Sequence, residues 1–201
     1  MDEGKAYLGT NAEGTYDGGV AILAQEESWG LLNNINLPQW LSIILAVIIL
    51  DFIIYIQHVI VHAIPLLWRL HWVHHADPDF DVTTGSRFHT LEIILSLGIK
   101  LCTIVLLGPP ILAVLIFEVL LNATAMFNHS NIHLAKGIDT ILRWFVVTPD
   151  MRRVHHSVED DETNSNFGFS LPWWDRLFGT YRDQPRGGHE GMKMVKACSS
   201  K

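Results

Sequence analysis

Histidines are frequent in this 201-residue chain, and most of them stand close together in the sequence. Eleven are present, and nine of these form four groups: His58/His62, His71/His74/His75, His129/His133 and His155/His156. Residues three or four positions apart share one face of an α-helix, so a group with that spacing would present its imidazoles together. Neutral imidazole binds iron, zinc, copper and nickel, whereas calcium and magnesium prefer oxygen ligands. The pattern therefore predicts a metal site.

The number of histidines bears on how many ions such a site would hold. Nine imidazole nitrogens exceed what one tetrahedral or octahedral ion can bind, which favours two metal ions held close together. A single histidine is more often a surface residue or a hydrogen-bonded core residue than a ligand. That alternative does not account for four separate groups.

Three apolar runs predict helices that span a membrane. The first covers residues 37–56, with Asp51 as its one charge, and approaches the ~20 residues that a spanning helix needs. Residues 91–107 and 111–127 are each about 17 residues long, which gives roughly 25 Å of helix. Buried helices of a soluble bundle are the alternative. We expect an all-α fold, an integral membrane helical bundle with a histidine-rich cap.

The second and third runs are predicted to form a hairpin. Gly108-Pro109-Pro110 separates them and cannot continue a helix, because proline lacks an N–H and clashes with the preceding turn. Lys100 and Glu118 lie at similar distances on either side of this break, so both charges would sit at similar depth. Charges inside a membrane usually face protein and pair, which predicts a structural Lys100–Glu118 ion pair.

The distribution of charge predicts how the chain is oriented and divided. Twelve of the fourteen Lys and Arg residues lie between Arg69 and Arg87 or after residue 135, which places the histidines on the cytoplasmic face. The acidic, Gly-rich residues 1–36 are expected to form a flexible tail, residues 37–183 the membrane domain, and residues 184–201 a second flexible tail. The net charge of −7 and the lack of a basic stripe indicate no nucleic-acid partner.

The order of these motifs resembles the fatty acid hydroxylase/sterol desaturase superfamily. The resemblance is carried by His58-x-x-x-His62, His71-x-x-His74-His75, residues 128–133 (NHSNIH) and residues 153–157 (RVHHS). Residues 162–168 (ETNSNFG) and 174–181 (WDRLFGTY) are similar to that family's C-terminal signature. The resemblance covers roughly residues 50–183, and an ordered set of motifs is far more specific than one HxxxH.

The resemblance implies an integral membrane oxidoreductase with two iron ions, for which zinc can substitute, ligated by the nine grouped histidines. Such enzymes use O₂ and two electrons to hydroxylate a lipid such as a fatty acyl chain or sterol, and some relatives desaturate sterols or cleave ether lipids. The sequence contains no dinucleotide-binding motif and no cysteine set for an iron–sulfur cluster. A separate electron donor is therefore implied: a b-type cytochrome, a ferredoxin or a reductase.

One position departs from the family pattern. The last histidine motif of the family resembles His-x-x-His-His, and this chain has Arg152 where the first histidine is expected. Arginine stays protonated and has no lone pair, so Arg152 cannot ligate a metal. The alternative function is therefore a catalytically impaired relative that binds a lipid or a partner in the membrane. A metal transporter is a third interpretation, which histidines at a membrane surface rather than at mid-depth disfavour.

Four further residues are candidates for supporting roles. Asp175 and Asn166 could orient ligating imidazoles through the second ring nitrogen, although a loop salt bridge and an Asx turn explain them equally well. His89 stands in a segment similar to one of the family, as a supporting residue rather than a ligand. Asp51 shares a helix face with His58 and could line a substrate cavity or pair with another helix. The substrate, hydroxylation versus desaturation, and the oligomeric state stay open.

Overall fold

The computed structural model describes residues 4–77, 80–189 and 192, and it describes side chains from residue 15 onward. Over these residues the chain is helical and has no strand, which confirms the all-α prediction. The helices in chain order are α1 Gly4–Glu26, α2 Gln39–Ala63, α3 Pro65–His75, α4 Thr90–Leu107, α5 Ile111–Asn128, α6 Lys136–Leu142, α7 Pro149–His155, α8 Asp160–Thr163 and α9 Trp173–Phe178. Short 3-10 turns occur at Leu32–Asn34 and Val82–Ser86.

Three helices are long and apolar enough to cross a membrane, and they correspond to the three apolar runs of the sequence. They are α2, α4 and α5, with 25, 18 and 18 residues respectively. Only a minority of the residues in their apolar stretches are buried inside the protein. Apolar side chains that the protein does not cover are what a helix in contact with lipid requires.

A break between α2 and α3 separates the first two histidine groups. Ile64 is extended, with φ −96° and ψ 116°, because a residue before proline avoids the helical region. Pro65 then begins α3, where its missing N–H would have no helical partner in any case. As a result His58 and His62 lie in the last turns of α2, and the next group lies in the last turns of α3.

The chain divides into two compact units, each of which is described by itself below. The first unit contains Met1–Ile53 and Thr90–Leu121, and the second contains Ile54–His89 and Asn122–Lys201. All nine grouped histidines belong to the second unit. Asp51, which is buried, belongs to the first, so a role for it in a substrate cavity stays a prediction.

In the first unit, three charged side chains meet among apolar helices. Lys100 Nζ lies 3.0 Å from Glu118 Oε1, so the predicted ion pair is present. Lys100 Nζ also lies 2.9 Å from Asp17 Oδ2, and both of these side chains are buried. Burying a charge in an apolar setting is strongly unfavourable unless an opposite charge accompanies it. Asp17 and Glu118 thus both stabilise Lys100.

Asp17 belongs to a segment for which the sequence predicts a flexible tail. The structure has α1 over Gly4–Glu26, in contact with α4. An apolar stripe of helical period is the usual sequence signal for a packed helix. This Gly-rich segment has no such stripe. Asp17 of this segment instead forms an ion pair with Lys100, which lies more than eighty residues away in the sequence. Residues 1–3 lie outside the described residues.

The predicted break at Gly108-Pro109-Pro110 is present between α4 and α5, and it packs against the turn after α1. The Leu31 N–H donates to Leu106 O at 2.9 Å. Gly30 and Gly108 have φ of 86° and 62°, in the region that favours glycine. A Cβ on Gly30 would lie 2.6 Å from the Cα of Gly108, so a side chain there would separate the two turns.

In the second unit, short helices and loops follow α5. The residues just after 183, predicted as the start of a second tail, are tied to α8 over their described part. The Arg186 N–H donates to Glu162 Oε1 at 2.6 Å, and the Arg186 guanidinium lies 2.6 Å from Asp161. Residues 190, 191 and 193–201 lie outside the described residues, so the prediction of a flexible end is not tested there.

Candidate metal centre

Eight of the nine grouped histidines come together in the second unit, in two groups. The five-histidine group contains His58, His62, His71, His75 and His155. The three-histidine group contains His74, His129 and His156. Within each group, one ring nitrogen of every member lies within 4.8 Å of one from every other member. Opposite ligands of an octahedral ion lie about 4.2 Å apart when each metal–nitrogen distance is about 2.1 Å, so each group is close to the size of a metal site.

The five-histidine group is built from three helices. His58 and His62 are one turn apart on α2, and their ring centroids are 5.0 Å apart. His71 and His75 are one turn apart on α3, also with centroids at 5.0 Å. His155, the last residue of α7, brings its ring within 4.6 Å of the His58 ring. On both α2 and α3, the i, i+4 spacing therefore places two imidazole rings side by side, as the sequence predicts.

The three-histidine group is smaller and more fully buried. His74 Nε2 and His129 Nε2 lie 3.3 Å apart. Two imidazole nitrogens on one ion are about 3.0 Å apart at a right angle and about 3.4 Å apart at a tetrahedral angle, for metal–nitrogen distances near 2.1 Å. The observed separation falls between these values. All three side chains are buried.

Backbone carbonyls fix the orientation of three of the grouped histidine rings. His58 Nδ1 lies 2.7 Å from Phe167 O, His155 Nδ1 lies 2.7 Å from Ser165 O, and His129 Nδ1 lies 2.8 Å from Ala125 O. A carbonyl oxygen only accepts, so each Nδ1 carries the proton and each Nε2 carries the lone pair. Nε2 of His58 and of His155 is buried and has no partner among the described protein atoms. This is the arrangement that a metal ligand requires.

Five buried histidines outside the spanning helices have a lowered pKa and are held in the neutral form. Burial lowers the pKa of His74, His75, His155 and His156 well below its usual range, and the neighbouring imidazoles lower it further. Burial lowers the pKa of His129 to about 3, with the charge of Arg152 acting in the same direction. Neutral imidazoles bind metal ions, so no deprotonation is needed at physiological pH.

His133, a predicted ligand, is not in either group. Its side chain is exposed in the segment between α5 and α6. The prediction assumed that His129 and His133 share a helix face, but α5 ends at Asn128 and the chain turns after it. Arg153 Nη2 donates to the carbonyls of Ser130 and Ile132 at 3.0 and 3.1 Å and fixes this turn. His89 is half-buried and is also outside both groups.

Asp175 acts on the site through the backbone and not through an imidazole. Its carboxylate accepts the N–H groups of Phe167 and Gly168 at 2.7 and 2.8 Å, and the Thr180 hydroxyl at 2.7 Å. The Phe167 carbonyl that this loop presents is the one that orients His58. The supporting role of Asp175 stays a prediction, and it would act indirectly, through one peptide unit.

Asn166 also holds the loop rather than a histidine. It has φ of 50°, a left-handed conformation that asparagine tolerates better than most residues. Its Nδ2 donates to Met151 O and Arg182 O at 3.2 and 2.9 Å, and its Oδ1 accepts from the Arg182 N–H at 2.9 Å. Asn166 therefore connects α7, which carries His155, to the chain after α9.

Arg152 is fully buried on α7 beside the histidines. Its Nη2 donates to Gly168 O at 2.6 Å, and its guanidinium lies over the Phe169 ring at 5.0 Å from the centroid. Nε and Nη1 have no hydrogen-bond partner among the described residues. Burial lowers the pKa of Arg152 to about 10, with the charge of Asp175 opposing the change. Arg152 is therefore a cation at neutral pH and supplies no ligand.

Sequence reasoning missed the carbonyls of Ser165 and Phe167 as orienting groups. Backbone acceptors carry no signal of residue type, so only the conspicuous motif at residues 162–168 pointed to this loop. The structure gives the motif a role, since its residues turn two carbonyls toward α2 and α7.

The site and the helices define a class: a membrane protein with a buried, all-histidine centre in two parts. A family model described as fatty acid hydroxylase matches residues 43–180. The chain therefore belongs to the fatty acid hydroxylase family, as its motifs predict, and it is an integral membrane protein.

Similar proteins include lipid-modifying oxygenases. Ornithine lipid hydroxylase OlsE of Rhizobium tropici is 30% identical over 150 residues, which are 74% of this chain and 44% of that protein. Alkylglycerol monooxygenase is 28% identical in Xenopus tropicalis over 169 residues (81% and 36%), and 28% identical in Homo sapiens over 158 residues (76% and 34%). The chain thus spans less than half the length of these relatives. No solved structure matches the chain.

Proposed function

We propose that this chain is an O₂-dependent oxidoreductase that hydroxylates a membrane lipid with the help of two iron ions held by the eight converging histidines. The observation that carries the proposal is the buried donor set: two groups made only of imidazoles, with the lone pairs of His58, His129 and His155 turned inward by backbone carbonyls. A donor set of this kind suits iron or zinc and not magnesium or calcium.

Iron bound there would supply the redox chemistry that no side chain can supply, namely activation of O₂ against an alkyl C–H bond. In hydroxylation the C–H bond becomes C–OH, one oxygen atom enters the lipid, and the other leaves as water after two electrons and two protons are added. Desaturation has the same requirement for electrons. The chain lacks a motif for a bound flavin or dinucleotide, so we propose a b-type cytochrome, a ferredoxin or a reductase as the separate donor.

The chain's own residues have three tasks in this reaction. The carbonyls of Phe167, Ser165 and Ala125 hold the ligating rings in one orientation and one tautomer. Burial keeps His74 and His129 neutral, and it would keep bulk water away from the reacting atoms. Asp175 keeps the Phe167 carbonyl in place by binding the two N–H groups beside it.

A lipid substrate is supported by the membrane and by the relatives. The relatives' names state an ornithine lipid and an alkylglycerol as what those proteins act on. Three helices of this chain are suited to a bilayer, which dissolves the acyl or alkyl chains of such molecules. The distribution of Lys and Arg supports a site on the cytoplasmic side.

A second candidate function follows from Arg152. A buried cation beside two groups of metal ligands opposes the binding of dications, and Arg152 replaces a residue that could have been a ligand. An impaired relative that binds a lipid or a partner without turnover is the resulting alternative.

Metal analysis and isotope labelling decide between the two candidates. We expect about two irons per chain in the purified protein, and lipid carrying one atom from ¹⁸O₂ when vesicles contain the protein and a reducing system. His74→Ala should remove metal and product, whereas the matched variant His133→Ala should leave both unchanged, because His133 lies outside the two groups. One iron or none, without labelled lipid, would support the impaired relative. Equal loss of metal in both variants would contradict the arrangement described here.

A further inference from the structure

The helix α6 and the turn after it have a charged inner face and an apolar outer face. Asp139 and Arg143 form an ion pair of 2.5 Å one helical turn apart, and both are buried. The neighbouring Phe145 is 64% exposed. The other exposed apolar side chains of this stretch are Ile138, Ile141 and Trp144. A helix in water has the opposite arrangement, because charged groups keep their hydration and apolar groups lose theirs.

The helix α9 also has a buried charged side chain and exposed apolar side chains. Asp175 is 0% exposed and binds the loop inside the unit, whereas Leu177 is 70% exposed. Trp173 is also exposed. A contiguous exposed apolar patch marks a surface that something other than water covers.

The two helices form one continuous patch. Trp173 Nε1 donates to Trp144 O at 2.6 Å. The Arg176 guanidinium stacks between the rings of Trp144 and Tyr181, at 4.0 and 3.9 Å from their centroids, and its Nη2 donates to Arg143 O at 3.0 Å. We call this patch the α6–α9 surface; its exposed members are Ile138, Ile141, Trp144, Phe145, Trp173 and Leu177.

The α6–α9 surface lies beside the membrane-spanning helix α2. Phe178 of α9 stacks on Tyr55 of α2, with ring centroids 5.7 Å apart and an interplanar angle of 18°. Tyr55 precedes the end of α2 at Ala63 by eight residues, which is about 12 Å of helix. The 25 residues of α2 are roughly 37 Å long, about 7 Å more than the hydrocarbon core. Even if all of this excess projects at the Ala63 end, Tyr55 still lies inside the core, and a tilt of α2 places it deeper.

We propose that the α6–α9 surface is sunk into the bilayer at the boundary between headgroups and hydrocarbon, and that lipid covers it. Lipid then covers the exposed apolar side chains. The tryptophans lie at the depth at which Trp and Tyr are enriched in membrane proteins. The Arg176 guanidinium lies between two aromatic rings, a favourable contact for a cation that is partly removed from water. Because Tyr55 lies inside the hydrocarbon core, lipid rather than a water-soluble protein is expected to cover the α6–α9 surface.

Site-directed spin labelling of the full chain in phosphatidylcholine vesicles tests this proposal. In a Cys102→Ser, Cys198→Ser background, labels are placed at Leu177→Cys and Ile141→Cys, one on each helix. Glu159→Cys is the control, because Glu159 is an exposed acidic position in the same unit. Collisions with O₂, which concentrates in lipid, are compared with collisions with a water-soluble nickel chelate.

We expect the ratio of O₂ to nickel collisions to be several-fold higher at positions 177 and 141 than at position 159. Equal ratios at all three positions would mean that water covers the surface, and labels that neither reagent reaches would mean that protein covers it. Either result would overturn the proposal. The readout needs neither metal nor turnover, so it is independent of the proposed function, and the two labelled helices guard against one variant that fails to fold.

Discussion

The five-histidine group and the three-histidine group differ in how many ligands they offer and in where those ligands come from. The larger group draws on α2, α3 and α7, whereas the smaller one draws on α3, the end of α5 and the residue that caps α7. The adjacent pairs His74/His75 and His155/His156 are each divided between the two groups. Neighbouring residues on a helix point about 100° apart, so each pair contributes one ligand to each group and fixes the distance between them.

The two groups are therefore not equivalent as candidate metal sites. If every member of a group were a ligand, five imidazoles would leave one position of an octahedral ion open, whereas three would leave half of an octahedron open. Fewer ligands mean weaker binding and more room for an exogenous molecule. We therefore expect the three-histidine group to lose its ion first and to have more open positions for O₂.

Acid should lower the stability of the metal-free protein, because both groups contain buried histidines with a lowered pKa. Burial lowers the folded-state pKa of His74, His75, His129, His155 and His156, so below pH 6.5 the unfolded chain binds protons that the folded chain does not. The stability of the metal-free protein is thus fully present above pH 6.5 and is lost as the pH falls toward the folded pKa, which for His129 is about 3. Each histidine contributes up to ~1.4 kcal/mol per pH unit. Thermal unfolding of metal-free protein between pH 7.5 and pH 5 measures this; a constant midpoint would contradict it.

Single ligand removals should separate the groups. His156→Ala leaves two imidazoles in the smaller group, so we expect one metal per chain to be lost at any practical concentration. His62→Ala leaves four in the larger group, and we expect both metals to be retained with weaker binding. Metal content by mass spectrometry, before and after dialysis against a chelator, gives the comparison. Equal losses in the two variants would mean that the groups have the same affinity.

Arg152→His should make the metal affinities of the two groups more similar. The substitution removes a buried cation and adds an imidazole on α7, three and four residues before His155 and His156. We expect metal affinity and lipid oxidation to rise roughly tenfold, the scale on which a ligand or its support acts. The measurement is metal quantification and product analysis on paired membranes. If the protein with Arg152 already holds two metals and turns over equally fast, the assumed alignment of the last histidine motif is wrong.

Asp175→Asn should have the smallest effect and should fall on the larger group. The amide keeps one acceptor for the N–H groups of Phe167 and Gly168 but turns a donor toward the other, which costs about 1–3 kcal/mol. The Phe167 carbonyl then holds His58 less firmly, so chelator should remove metal from the five-histidine group sooner. Thermal unfolding and chelator kinetics measure the two effects, with Glu159→Gln as the exposed control. Faster loss from the smaller group alone would contradict this route.

Much of this architecture could be predicted from the sequence, because it depends on helical periodicity and on apolar length. The three spanning helices, the convergence of eight histidines and the Lys100–Glu118 pair all follow from such local patterns. The division into five and three does not, because it depends on where α7 places His155 and His156. His133 lies outside both groups, because α5 ends at Asn128 and spacing alone does not locate that end. Asp17 was missed because its partner is distant in sequence.

Lys100 also bears on how the chain enters the membrane during synthesis. A lysine at the middle of a spanning helix raises the free energy of insertion by about 2.5–3.5 kcal/mol, so α4 alone is a poor candidate for release into lipid. Glu118 is made only 18 residues later, at matching depth across the Gly108 turn. We expect α4 to remain at the insertion machinery until α5 emerges and to enter the bilayer with it as one hairpin. Asp17, made earlier, is by then available on the other side of the ammonium group.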